Sequence, residues 1–344
     1  MNSLNVTVRS AEERDLKSWD EYVNSHEEAT FFHLSGWKRV FERSFNHRTH
    51  YLMCESDGVL LGVLPLVCVN SLLFGKSLSS LAFCAYGGVL ASSDEAFRQL
   101  ETAAIELARE LKVGALEFRY RRASGVDRVG KDLYEYFSKP IDPDPDVNMK
   151  AIRSKQRNII RKGIKNGLTA RVDTVDSFYT AFSESVRNLG TPVFPKKLFY
   201  EIAEAFPDQV EFLSAFDGDT IVSSSLLYYF RDEVCPYYWG GVEAARRLKG
   251  NDYLCWEIMC RAASRGCTLF DFGRSKKGTG SYKWKENLGF ESHPLYYEYE
   301  LIESKEMPNI NPMNPKYRFF VEAWKHLPLP VTRVVGPWLA KDLG

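Results

Sequence analysis

The chain has 344 residues, 44% of them apolar and 26% charged, with 45 basic and 45 acidic side chains. That length holds one large or two ordinary domains with buried cores, and the composition is that of a folded soluble protein. A net charge of zero excludes polyanion binding through the molecule's overall field, so any basic site has to arise from local clustering.

Seven cysteines lie mostly inside apolar runs with no Cys-x-x-Cys pair, which reads as reduced core cysteine. No apolar signal segment opens the sequence, and no window reaches the roughly 18 apolar residues of a membrane span. A cytoplasmic protein is expected, at most peripheral at the inner face of a membrane.

In chain order, residues 4–10 read as a strand and 12–24 as a helix. Residues 31–45 read as a second helix, with Trp37, Val40, Phe41 and Phe45 at helical spacing. Two strands follow around Asp57-Gly58, a strong hairpin signal. A helix over 94–111 and a strand over 115–120 come next. The Pro- and Asp-rich run "KPIDPDPDVN" marks a boundary near residue 145.

The second half repeats this order. A basic helix over 150–165 leads to a strand at 168–172, helices over 175–187 and 195–205, and a hairpin at Asp217-Gly218. The run "YYWGGVEA", a helix over 252–265 and the strand "TLFDFG" complete it. The segments beginning "AYGGVLASS" and "YWGGVEAAR" align without gaps. Gly87-Gly88 falls on Gly240-Gly241, and Leu116 on Leu269. Both read strand, Gly-Gly, helix, strand. This implies a tandem duplication of one α/β unit, each with a mixed, mostly antiparallel sheet flanked by helices. The expected domains are 1–145 and 146–303, with a C-terminal extension, 304–344, packing back on the body.

Several chemistries are excluded by pattern. "GRSKKGT" has the glycine spacing of a phosphate loop but Thr279 where its lysine must stand. No G-x-S-x-G elbow or H-E-x-x-H motif occurs and the six histidines are scattered, so no metal is expected. Between Asp146 and Asp173 there is no acid, while Lys150, Arg153, Lys155, Arg157, Arg161, Lys162, Lys165 and Arg171 are basic. On one helix Arg153, Arg157 and Arg161 form a stripe. A solvated face normally mixes signs, so this run points to phosphate. Arg247, Gly250 and Asp252 keep the frame of an acyl-CoA turn. Asp252 as a helix N-cap would consume the N–H groups that hold a pyrophosphate.

"LFDFGRSKKGTGSYKWKENLGF" is the richest segment. Strand alternation points Asp271 opposite Phe270 and Phe272, where it can pair locally with Arg274 or Lys276. Lys283 and Lys285 are expected on one face of an extended segment, with Tyr282 and Trp284 on the other. Two lysines beside flexible glycines, after Arg274, Lys276 and Lys277, suit an anion or a developing oxyanion.

This segment, with "SKQRNIIRKGIKNGL", "FFHLSGW" and the tail "NPMNPKYRFFVEAWKHLPLPVTRVVGPWLAKDLG", resembles the FemABX family of peptidyltransferases. It is most similar to the branch associated with exosortase/PEP-CTERM gene clusters. The resemblance implies two GNAT-like domains in tandem and transfer of an aminoacyl group, from aminoacyl-tRNA, to an amine of a cell-envelope precursor. It implies Lys285 at the oxyanion; for the amine's proton Asp271 is the nearest acid by sequence, with substrate-assisted or water-mediated transfer as the alternative, and Tyr282 completes the expected catalytic set. Lys155, Arg157 and Arg161 match the family's basic motif, and Lys38, with Trp37 beside it as a second expected substrate contact, lies near a position used for the acceptor's diphosphate. Trp239, Arg274, Lys276 and Lys283 complete the expected substrate surface. No tightly bound cofactor is expected, and the precursor can be lipid- or nucleotide-linked, with a peptidoglycan or exopolysaccharide acceptor. Two alternatives stand beside this reading: an acyl-CoA-dependent N-acyltransferase, and a degenerate scaffold that binds tRNA or an envelope assembly protein.

Overall fold

A computed structural model describes residues 6–71, 74–307 and 315–342, with side chains in the last segment from Phe319. Residues 311–314 of the tail lie outside them. The contacts divide the chain into two compact units, one up to Asp132 and again from Pro294, the other from Leu133 to His293 with the C-terminal helices.

The first unit begins with β1 (Val6–Ser10), α1 (Leu16–Ser25) and α2 (Gly36–Phe45). The helix expected over 31–45 is a 3-10 turn, Phe31–His33, followed by α2. Strands β2 (Arg48–Ser56) and β3 (Val59–Ser71) form the hairpin expected at Asp57-Gly58. Both turn residues are left-handed, φ 50° and 78°, the geometry that matches the twist of the flanking strands. After β4 (Gly75–Ser80) and the short β5 (Leu90–Ala91), α3 (Asp94–Glu110) crosses over to β6 (Ala115–Tyr120). Ser93 caps α3 by accepting the Ala96 N–H, and Ala96, Leu100, Ala104 and Ala108 form its buried stripe. The crossover makes β4 and β6 parallel. A short strand, β7 (Val129–Lys131), ends this part of the chain.

The second unit opens with β8 (Tyr134–Pro140), then α4 (Pro145–Ala151), α5 (Ser154–Lys165) and β9 (Thr169–Val172). Helices α6 (Val175–Asn188) and α7 (Lys196–Ala205) lead to the hairpin β10 (Val210–Asp217) and β11 (Thr220–Phe230). Then come β12 (Glu233–Gly241), the short α8 (Ala244–Leu248), α9 (Gly250–Ser264) and β13 (Leu269–Lys276). Helix α10 (Gly280–Asn287) and β14 (Glu291–Pro294) follow. The next strand, β15 (Tyr296–Leu301), returns to the first sheet, whose order is β1-β2-β3-β4-β6-β15-β7 with β5 beside β3. The second sheet runs β14-β8-β13-β12-β11-β10-β9.

The duplication is realised as two equivalent crossovers, β4–α3–β6 and β12–α9–β13, each joining parallel strands. The sequence puts the domain boundary near residue 145, at the proline-rich run. The contacts put the change at Asp132–Leu133, because β8, ahead of that run, hydrogen-bonds to β13. The C-terminal helices α11 (Pro315–Lys325) and α12 (Leu329–Ala340) lie on α6, with Thr332, Gly336 and Ala340 of α12 buried. All seven cysteines are free, and all but Cys260 are buried.

Gly240 is required by close packing. A Cβ there would meet the Phe182 Cα of α6 at 2.4 Å, so only glycine lets helix and sheet approach this closely. Gly240→Ala is therefore expected to destabilise the protein by about 1–3 kcal/mol. Gly280→Ala, where nothing lies within 4 Å, should change stability by less than about 1 kcal/mol. Urea midpoints of the two variants check the contrast.

Candidate active site

Strands β12 and β13 pair in parallel at only two positions, Glu233 with Leu269 and Val234 with Phe270. Each strand carries a bulge just beyond. Tyr237 is the extra residue of β12 against β11, and β13 gains one residue against β8 between Asp271 and Arg274. A bulge bends its strand and sharpens the local twist, so two at one level drive adjacent strands apart. A wedge opens between β12 and β13, with backbone on both sides that no ladder between them uses.

Lys285 holds the β13 bulge. Its Nζ donates to the carbonyls of Phe272 (2.6 Å), Gly273 (3.2 Å) and Arg274 (3.2 Å), one acceptor for each ammonium hydrogen. Gly273 is left-handed at φ 59°, and its N–H donates to Asp271 Oδ1 at 2.8 Å. Asp271 is buried, and Lys285 is only 5% exposed, above the rings of Phe272 and Phe137. Burial pushes the Lys285 pKa down to about 7, against the opposing charge of Asp271.

This corrects two expectations. The segment around Lys285 is not extended but is α10, capped by Thr279, whose hydroxyl accepts the Tyr282 N–H. Residues two apart on a helix face different ways. Lys283 accordingly stands 72% exposed beside Glu286, while Lys285 turns into the core. Lys285 is also not aimed at a substrate oxygen, because backbone carbonyls take its hydrogens.

Around the wedge, Trp239 of β12 packs near Phe272 and Trp284, with ring centroids 5.9 and 5.6 Å away. The Trp239 indole N–H donates to Asn251 Oδ1 at 3.0 Å, and that of Trp284 to Asp252 Oδ1 at 2.8 Å. Gln156 of α5 also donates to Asp252 Oδ1. Asp252 is thus inside the first turn of α9 rather than its N-cap, a place taken by left-handed Lys249. Burial raises its pKa, and only neutral side chains donate to it. Tyr282 Oη donates to Glu135 Oε2 at 2.6 Å, and its ring stands edge-on to Phe137. That bond to Glu135 raises the Tyr282 pKa and keeps the phenol protonated. The Arg274 guanidinium lies 4.8 Å from the centre of the Tyr134 ring, and the half-buried Lys276 gives its carbonyl to the Thr279 hydroxyl.

The basic segment is two helices, not one. The break at Ile152–Arg153 removes Arg153 from the expected stripe and sets it against Asn287. Arg157 is spent on the carbonyls of Lys150 and Ile152, which it ties to α5. Gln156, Ile160 and Gly163 face α9, where a Cβ on Gly163 would meet the Tyr253 Cβ at 2.8 Å. Lys155, Arg161, Lys162 and Lys165 remain exposed, with no acidic partner among the described residues.

Trp37 and Lys38 belong to the first unit. Trp37 is 1% exposed, packed among Phe31, Phe32 and Phe41, and presents no surface to a ligand. Lys38 pairs with Glu42 at 2.8 Å. Sequence reasoning missed Glu135, Gln156 and Asn251 altogether. Among the described residues, no group of histidine, cysteine or acidic side chains is placed to hold a metal, and no helix is long and apolar enough to cross a membrane.

Residues 149–286 match the family model described as an acetyltransferase (GNAT) domain. Among solved structures the chain is similar to FemX, at 14% identity and a TM-score of 0.65, over 86% of this chain and 98% of that one. It is similar to a tandem GNAT protein from the clavulanic acid biosynthesis pathway, at 11% identity and a TM-score of 0.55, over 88% and 100% of the two chains. L-PGS from Bacillus licheniformis aligns at 12% identity and a TM-score of 0.53, over 95% and 98%. No curated protein matches the chain by sequence.

Removing Lys285 should leave a pH signature. In the unfolded chain it regains an ordinary lysine pKa near 10.4, so from about pH 7 to 10 the unfolded state holds the extra proton. The wild type should gain stability over Lys285→Met as pH rises through that window, on the order of 2 kcal/mol between about pH 7 and 9. Parallel curves of urea midpoint against pH for the two proteins would refute the buried titration. From sheet order to crossovers, the chain has the tandem GNAT acyltransferase fold, and the matched acetyltransferase domain lies in its second unit.

Proposed function

We propose that the protein is an N-acyltransferase of the FemABX type. In this reading it moves an aminoacyl group from aminoacyl-tRNA to an amine of a cell-envelope precursor. The wedge between β12 and β13 is the observation that carries it. An extended acyl donor fits between parted parallel strands, and backbone N–H groups along β12 can donate to its carbonyl oxygen. The acceptor amine attacks that carbon, a C–N bond forms, and the ester C–O bond breaks. The departing 3′-hydroxyl takes the proton that the amine releases. Preorganised N–H donors stabilise the oxyanion of the intermediate. Lys285 acts as a positioning residue that fixes the bulge, and Asp271 holds Gly273 from the other side. Proton transfer then runs through water or the leaving group, since Asp271 is buried.

The exposed face of α5, with Lys155 and Arg161, meets the phosphates of the donor. Asp252 in the first turn of α9 supports tRNA over CoA as that donor. A carboxylate there repels a pyrophosphate where a helix N-terminus would otherwise bind it. The exosortase-linked resemblance points the acceptor toward an exopolysaccharide component, and likeness to FemX toward a peptidoglycan peptide. Such a reaction takes place at the cytoplasmic face of the membrane. The matched acetyltransferase domain favours a second reading, acyl-CoA as donor.

Incubation with charged tRNA or acyl-CoA and an envelope fraction separates these readings by which donor loses its acyl group. If neither donor is consumed, the transferase reading fails. Lys285→Ala should lower kcat roughly 100-fold, the cost of misplacing reacting groups by about 1 Å. Charge reversal at Lys155 and Arg161 should weaken tRNA binding, and each lost phosphate contact should reduce the salt slope by about 1.

A further inference from the structure

Helix α12 has two faces of different character. Thr332, Gly336 and Ala340, four residues apart, form a small-residue stripe buried on α6, and Gly336 abuts the Val193 backbone. The opposite face carries Val331, Val334, Val335 and Trp338, at i, i+3, i+4 and i+7. Val334 is 76% exposed and Trp338 68%, and no charged residue interrupts the row. Phe319 of α11 is 86% exposed, and Leu189, beside the close contact of Gly190 with Val321, is 67% exposed.

The helices that bear this face are fixed. Arg187 of α6 donates to the Leu327 carbonyl at 3.3 Å, and Arg333 Nε donates to the Ser183 hydroxyl at 2.9 Å. Residues 315–342 contain five basic side chains, at 316, 318, 325, 333 and 341, and two acids, Glu322 and Asp342, in a chain with 45 of each sign overall. An exposed aliphatic row ending in tryptophan, on a segment of net positive charge, is the composition of a helix lying in a bilayer interface. Twelve residues are too few to span one. A second copy of the chain would bring the same excess of positive charge against itself, whereas an anionic lipid surface complements it.

We propose that the outer face of α11–α12 docks this protein on an anionic membrane, with α12 parallel to the surface and Val334 and Trp338 inserted among the lipid acyl chains. The inference does not depend on the donor or acceptor of the reaction.

Cosedimentation of the full chain with vesicles tests it. Phosphatidylglycerol–phosphatidylethanolamine vesicles should bind the wild type at least tenfold more tightly than phosphatidylcholine vesicles, and added salt should weaken that binding. The double variant Val334→Glu, Trp338→Glu should bind the anionic vesicles at least tenfold more weakly, with an unchanged unfolding midpoint because both positions face solvent. Wild type that stays in the supernatant, or a variant that binds as well as wild type, overturns the proposal. So does a wild-type dimer that the variant dissolves while neither protein binds vesicles, since a second copy would then cover the face.

Discussion

Three carbonyls converging on one ammonium set the geometry of the second unit. A strand bulge leaves carbonyl groups without ladder partners, and a buried polar group left unpaired costs about 1–3 kcal/mol. Lys285 satisfies Phe272, Gly273 and Arg274 together, which makes a bulge at this depth tolerable. The cost appears in the lysine itself, because burying its charge pulls its pKa to about 7. The rings of Phe137 and Phe272 lie beside it, and their π faces return part of the lost solvation.

The rest of the wedge follows from that contact. With β13 bent away after Phe270, the space beside β12 is walled by Trp239, Trp284 and Phe272 instead of by a strand. Both indoles are oriented by hydrogen bonds to consecutive residues of α9, Asn251 and Asp252, so the helix sets the aromatic wall as well as the crossover. Gln156 joins α5 to the same carboxylate. Asp252 therefore links the helix that carries the exposed cations to the aromatic wall, beside the packing of Ile160 and Gly163 on α9. A substitution at Asp252 would loosen both at once.

The sequence was legible where local chemistry dictates conformation. The Asp57-Gly58 hairpin follows from two left-handed residues, and the repeated strand, Gly-Gly, helix, strand order identifies both crossovers. Helical spacing also placed Trp37 with Val40, Phe41 and Phe45 on one face, and that face is core. The substrate role expected for Trp37 came from resemblance alone, and burial overrules it. Helix α10 was misread because glycines, tyrosine and tryptophan suggest an extended loop, although Thr279 three residues before Tyr282 is an N-cap signal. The role of Lys285 was hidden for a deeper reason. Its partners are backbone carbonyls, which no residue letter records, and the bulge that aims them depends on the register between β13 and β8. Contacts such as Gln156 with Asp252 link positions too far apart in sequence for spacing to reveal.

The path of the chain has a consequence for how the molecule is made. Strand β15 lies inside the first sheet, between β6 and β7, and Tyr297 and Tyr299 are buried there. Yet it is synthesised after every described strand and helix of the second unit up to β14. Until Tyr296–Leu301 leaves the ribosome, β6 is an open edge and β7 has no neighbour in the sheet. The amino-terminal half thus waits, with an unpaired template for aggregation, for a strand encoded some 175 positions downstream of β6, counting from Tyr120 to Tyr296. Completion of the first sheet thus waits on synthesis of the second, and a translation product stopped short of β15 would lack a finished first unit however well its second sheet had folded.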